Sequence, residues 1–114
     1  MRADPSKGEE MIMDYEVGRA EEIPPGKGTV FHVADKRLAI FNVDGTFYAM
    51  DDSCLHQGSS LGTSRLDGKI VTCRGHGWRY DVTTGETAHV PGYGVESYPV
   101  KIVDGKIMVS IASP

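Results

Sequence analysis

Both cysteines of this 114-residue chain have a histidine close behind them. Cys54-Leu55-His56 is followed, after sixteen further residues, by Cys73-Arg74-Gly75-His76, a C-x-H-x16-C-x2-H pattern. Thiolate and imidazole donors suit iron and zinc. A disulfide would require neither histidine. A structural zinc finger usually groups two Cys on a hairpin and two His on a helix. Here the order is Cys, His, Cys, His, and no window of useful length shows helical periodicity. The alternation favours a two-iron site in which each loop gives one donor to each iron. A chain of this length suits one domain with a small core, and a bound metal centre linking distant segments would add stability to it.

The rest of the chain reads as all-β. Short apolar runs are separated by turn signals. Leu38-Ala39-Ile40-Phe41-Asn42-Val43 leads through Asp44-Gly45 into Thr46-Phe47-Tyr48-Ala49-Met50, and Val100-Lys101-Ile102-Val103 leads through Asp104-Gly105 into Lys106-Ile107-Met108-Val109. Asp-Gly between apolar runs is a strong hairpin signal, because both turn residues need positive φ. A third Asp-Gly, Asp67-Gly68, precedes Lys69-Ile70-Val71-Thr72-Cys73, and Thr83-Thr84-Gly85-Glu86 is a fourth turn candidate. The chain has 14 glycines, in keeping with many tight turns. Residues 1–13 read as a flexible tail and 14–114 as a single domain. Residues 51–94, which hold three of the four histidines, read as a subdomain of loops and short strands inserted in a sandwich or barrel.

Net charge is −4. A general nucleic-acid binder would carry a basic face, so that class is set aside. Mild acidity is compatible with docking on a basic partner, but solubility is the simpler explanation. No apolar run reaches the length of a membrane helix, and the first residues, MRADPSKGEE, have no apolar h-region, so the expected location is the cytoplasm.

The Cys54/His56 and Cys73/His76 text, with Gly77 following, resembles the Rieske iron–sulfur signature, in which two Cys bind one iron and two His bind the other. The resemblance covers about residues 17–111 and implies a Rieske-type β-sandwich or barrel with one [2Fe–2S] cluster per chain. By it, Cys54 and Cys73 would hold the inner iron, and His56 and His76 the outer one. Gly58, Gly75 and Gly77 leave room for backbone amides beside sulfur, and Pro91 in Val90-Pro91-Gly92 matches the proline-bearing third loop of the family.

Respiratory members resemble C-T-H-x-G-C with C-x-C-H-G-S and carry an extra disulfide between the loops. Here Ser59 and Gly75 stand at those two cysteines, and Trp78 at the serine that donates to a bridging sulfide; Tyr80 matches the family's tyrosine. These departures imply a low-potential member, near the bottom of a family range of roughly −150 to +300 mV. A chain of 114 residues is expected to be too short for the second domain of an oxygenase large subunit, and no G-x-G-x-x-G of a dinucleotide site occurs in it. The resemblance therefore implies a monomeric electron carrier, not itself an enzyme, that takes electrons from a ferredoxin reductase and passes them to a terminal aromatic-ring oxygenase. A small subunit of a nitrite reductase is the alternative, and a zinc-bound structural module the third. Trp78 is read equally as a docking contact or as packing over the cluster loops. Leu55 and Gln57 read as part of the same docking rim. Asp51 and Asp52 read as negative charge close to the cluster or, more simply, as a solvated turn. His89 reads as a third-loop residue near the cluster or, more simply, as an exposed loop residue without a role, and His32 as a strand surface residue.

Overall fold

The computed structural model describes residues 11–55, 58–75 and 77–113. In chain order the strands are β1 (Met11–Arg19), β2 (Gly28–Val33), β3 (Lys36–Val43), β4 (Thr46–Asp51), β5 (Arg65–Asp67), β6 (Ile70–Thr72), β7 (Arg79–Asp81), β8 (Ser97–Tyr98), β9 (Val100–Val103) and β10 (Lys106–Ser113). A single 3-10 turn, Ala20–Glu22, lies between β1 and β2. The all-β expectation holds. Among the described residues no helix is long and apolar enough to cross a membrane.

The strands form three antiparallel sheets, in the orders β1-β10-β9, β2-β3-β4-β8 and β5-β6-β7. The four-stranded sheet is the middle layer, because β3 is buried on both faces. Leu38 and Ile40 point into one core with Ile23, Ala49, Ile107, Val109 and Ile111. Ala39 and Phe41 point into the other with Met50, Leu61, Val71, Tyr80, Val82 and both cysteines. The period-2 pleat thus lets one unbroken apolar run serve two cores. Asn42 ends the run as a buried amide. Its Nδ2 donates to Ile23 O at 2.7 Å, and its Oδ1 accepts from Gly45 N at 2.7 Å, which closes the β3–β4 turn.

The Asp-Gly turns at 44–45 and 104–105 have both residues at positive φ, as the hairpin reading requires. At 67–68 the turn is displaced by one residue: Asp67 pairs with Ile70, and Gly68 alone has positive φ. The β2–β3 hairpin turns on Ala34-Asp35, both at positive φ without a glycine, a turn that composition does not announce. β1 begins at Met11, inside the segment read as a tail, and Met11, Ile12 and Met13 pair with Ser113, Ala112 and Ile111. The chain end supplies backbone partners that local sequence cannot reveal.

Candidate metal centre

Two loops carry the cysteines, one between β4 and β5 and one between β6 and β7, and they share one backbone design. In the first, Cys54 N–H donates to Ser59 O at 2.9 Å and Gly58 N–H to Cys54 O at 2.8 Å. In the second, Cys73 N–H donates to Trp78 O at 2.6 Å and Gly77 N–H to Cys73 O at 3.0 Å. Each loop therefore folds back four residues after its cysteine on a glycine at φ near +75°: +73° at Gly58 and +78° at Gly77. Only glycine adopts that conformation without a Cβ penalty. His56 and His76 fall by sequence inside these two turns, and with Gln57 they lie outside the described residues.

Both thiols are buried, each 3% exposed, in the same apolar cluster. Tyr80 OH lies 3.3 Å from Cys54 Sγ and accepts from Leu55 N at 2.9 Å; to a sulfur held as thiolate, which has no proton to give, the phenol is the donor. Burial, with the Cys54 thiol beside it, pushes the phenol above its ordinary value and keeps it a donor. Gly75 N–H donates to Cys73 Sγ at 3.4 Å. Two sulfurs withdrawn from water, each facing a hydrogen-bond donor, suit thiolate ligands whose charge must be held in an apolar setting. That donor set fits half of a two-Cys, two-His cluster site.

The loops also touch each other. A Cβ on Gly75 would stand 2.6 Å from Ser59 Oγ, so the two positions where respiratory members have their extra cysteines are neighbours here. Arg74 N donates to Ser64 Oγ at 3.1 Å, and Arg74 Nη1 to Thr63 Oγ1 at 3.3 Å, joining the second loop to the end of the first. The third loop is closed by Thr87, whose Oγ1 donates to Val90 O at 2.6 Å. It brings exposed His89 edge-on to Trp78, with ring centroids 5.2 Å apart and an interplanar angle of 85°. Trp78 is half-buried against the core that holds the cysteines, which favours packing over docking for its indole. His89 has an aromatic neighbour, where sequence gave it none. His32 is an exposed strand residue, as expected.

Asp52 is the residue that sequence reasoning misplaced. It is fully buried and not in a solvated turn. Arg37 Nε lies 2.8 Å from Asp52 Oδ2, while Oδ1 accepts from Gly62 N at 2.6 Å and Ser60 Oγ at 3.0 Å. The same guanidinium donates from Nη2 to Ser53 Oγ at 2.7 Å and to Gly58 O at 3.1 Å. The pair clamps the first cysteine loop at its base and at its turn. Asp51 is half-buried and accepts from Tyr98 OH at 2.7 Å.

Residues 13–99 match the Rieske [2Fe–2S] domain. The biphenyl dioxygenase ferredoxin subunit of Pseudomonas sp. (strain KKS102) is 38% identical over 95 residues, 81% of this chain and 86% of that protein. The ferredoxin–oxygenase complex of carbazole 1,9a-dioxygenase contains a chain that superposes with a TM-score of 0.77 at 30% identity, covering 85% of this chain and 92% of the other. A putative nitrite reductase small subunit from Mycobacterium tuberculosis reaches a TM-score of 0.82 at 18% identity, covering 91% and 99%, a likeness of fold alone. With the paired thiol loops, the two-core sandwich and the match over most of its length in agreement, this chain belongs to the Rieske [2Fe–2S] domain family.

Proposed function

We propose that this chain is a one-electron carrier, the ferredoxin component of an aromatic-ring oxygenase system, and that it holds one Rieske [2Fe–2S] cluster on Cys54, His56, Cys73 and His76. When bound, such a cluster supplies a ferric/ferrous couple. The chain's own residues bury the thiolates, aim Tyr80 O–H and Gly75 N–H at them, and fix both loops through Gly58, Gly77 and the Arg37–Asp52 clamp. No bond-making step falls to this chain. Its partners are a reductase that supplies electrons and a terminal oxygenase that receives them. The paired buried thiols, each with its donor, carry this reading, and the biphenyl dioxygenase ferredoxin subunit as a relative gives it direction. The nitrite reductase reading is supported by fold alone.

Reductive potentiometry followed by electron paramagnetic resonance tests the proposal. The expected result is a rhombic Rieske signal with a midpoint toward the low end of the family range, roughly −150 mV. A colourless, metal-replete protein without that signal would sink the carrier reading. A midpoint near the top of the range would keep the ligands and overturn the argument from Ser59, Gly75 and Trp78.

A further inference from the structure

The chain carries 16 acidic residues, yet none lies from Ser53 to Leu66 or from Gly68 to Tyr80, the two stretches that hold the cysteine loops. Those stretches carry Arg65, Lys69, Arg74 and Arg79. Of the acids that border these stretches, Asp52 is matched by Arg37 and Asp81 by Lys69, whose Nζ lies 3.3 Å from Asp81 Oδ2, while Asp67, between the two, is in no ion pair among the described residues. The β5-β6-β7 sheet then sorts the remaining charge. Its middle row, Leu66–Val71–Tyr80, faces the core. By the pleat, the row on the side of Cys73, Arg65–Thr72–Arg79, faces outward, with the two arginine Cα atoms about 10 Å apart across Thr72. Arg65 and Arg74 line one shallow depression together with Asp67, Thr72 and Cys73.

All three arginines are exposed, and among the described residues none stands in an ion pair. Among the described residues Asp67 is the one carboxylate on this face outside an ion pair, two residues along β5 from Arg65 and farther from Cys73. Clustered like charges cost folding energy, and the fold obtains no carboxylate contact from them in return. We infer that this arginine face beside the second cysteine loop is a docking surface for a carboxylate-rich face of a protein redox partner, although the chain as a whole is acidic. The inference rests on the electron-carrier reading and adds the sign of the partner's surface to it. Charge complementarity so placed would steer encounter toward the edge nearest the cluster.

Protein-film voltammetry of the cluster-loaded protein tests this, with gold electrodes bearing either carboxylate- or ammonium-terminated monolayers as the probes. The expected result is a reversible wave on the carboxylate surface that falls severalfold between low and about 0.5 M salt, where screening is nearly complete. The wave should fall severalfold in Arg65→Gln/Arg79→Gln, a variant with unchanged paramagnetic spectrum, and more in Arg65→Glu/Arg79→Glu. A wave confined to the ammonium surface, or one indifferent to both variants, would overturn the docking inference and leave the carrier reading intact. Salt-sensitive binding of a fluorescent duplex oligonucleotide, lost in the variants without any change in the carboxylate wave, would assign the face to nucleic acid and overturn it too. Absence of any wave together with absence of a Rieske signal would bring down both readings.

Discussion

Tyr80 is placed where one hydroxyl does two things: it accepts from Leu55 N–H and presents its proton to Cys54 Sγ. A hydrogen bond to a ligand sulfur favours the reduced, more negative state. Tyr80→Phe keeps the buried ring and removes only the oxygen. We expect its midpoint potential to fall by tens of millivolts, since about 1 kcal/mol of hydrogen bond corresponds to that scale. The variant should also lose about 0.5–1.5 kcal/mol of stability, the net worth of an ordinary hydrogen bond, because Leu55 N–H loses its acceptor at a half-exposed residue. Redox titration and urea unfolding of the loaded protein read the two effects separately, and an unchanged potential would show that the hydroxyl serves the backbone alone. At this scale the thiols were legible, because Cys54 and Cys73 announce themselves by spacing. Tyr80 was legible through the family resemblance. Asp52 was not: its partner Arg37 sits on β3, far upstream, and nothing in Asp51-Asp52 distinguishes a buried clamp from a solvated turn.

Among the elements, the Asp-Gly hairpins were readable because φ > 0 limits which residues can stand there. The Ala34-Asp35 turn was hidden because tertiary pairing of β2 with β3 holds two non-glycine residues in the left-handed region. The run Leu38–Phe41 was seen as a strand, but its service to two cores depends on what covers each face, which only the folded chain decides. After β7 the turn is stabilised by Asp81. Its Oδ1 accepts from Thr83 N at 2.9 Å and Thr83 Oγ1 at 2.6 Å, and Lys69 lies against Oδ2. Burial alone would raise this carboxyl, but the Thr83 bonds and Lys69 together outweigh it and hold it below its ordinary value. A lowered folded value means that the contribution is complete above the unfolded aspartate value of about 3.9 and is lost as pH falls below that toward the folded one. The difference in unfolding free energy between the wild type and Asp81→Asn should therefore be larger at pH 6 than at pH 3. Equal differences at the two pH values would show that charge on Asp81 contributes nothing to the turn.

At the scale of the molecule, the middle sheet separates two cores, and the candidate thiol ligands belong to one of them. The core of Ile23, Leu38, Ile40, Ala49, Ile107, Val109 and Ile111 contains no candidate ligand and is tied by the long β1–β10 pairing from Met11↔Ser113 to Arg19↔Lys106. The opposite core includes both thiols, and its three-stranded sheet has strands of only three residues each. Such short strands hold little cooperative structure of their own. Where a metal site closes distant loops, its binding free energy is part of the folding free energy. Removal of iron by chelation under reducing conditions should therefore act on one side of the middle sheet. In hydrogen exchange, the amides of Cys54, Gly58, Leu61, Cys73 and Gly77, which are bonded within or beside the loops, should lose protection by orders of magnitude. Those of Ile107, Val109 and the buried residues of β3 should keep most of theirs. A uniform loss across both cores would show that the sandwich unfolds as one unit and that the middle sheet transmits the metal's stabilisation instead of confining it.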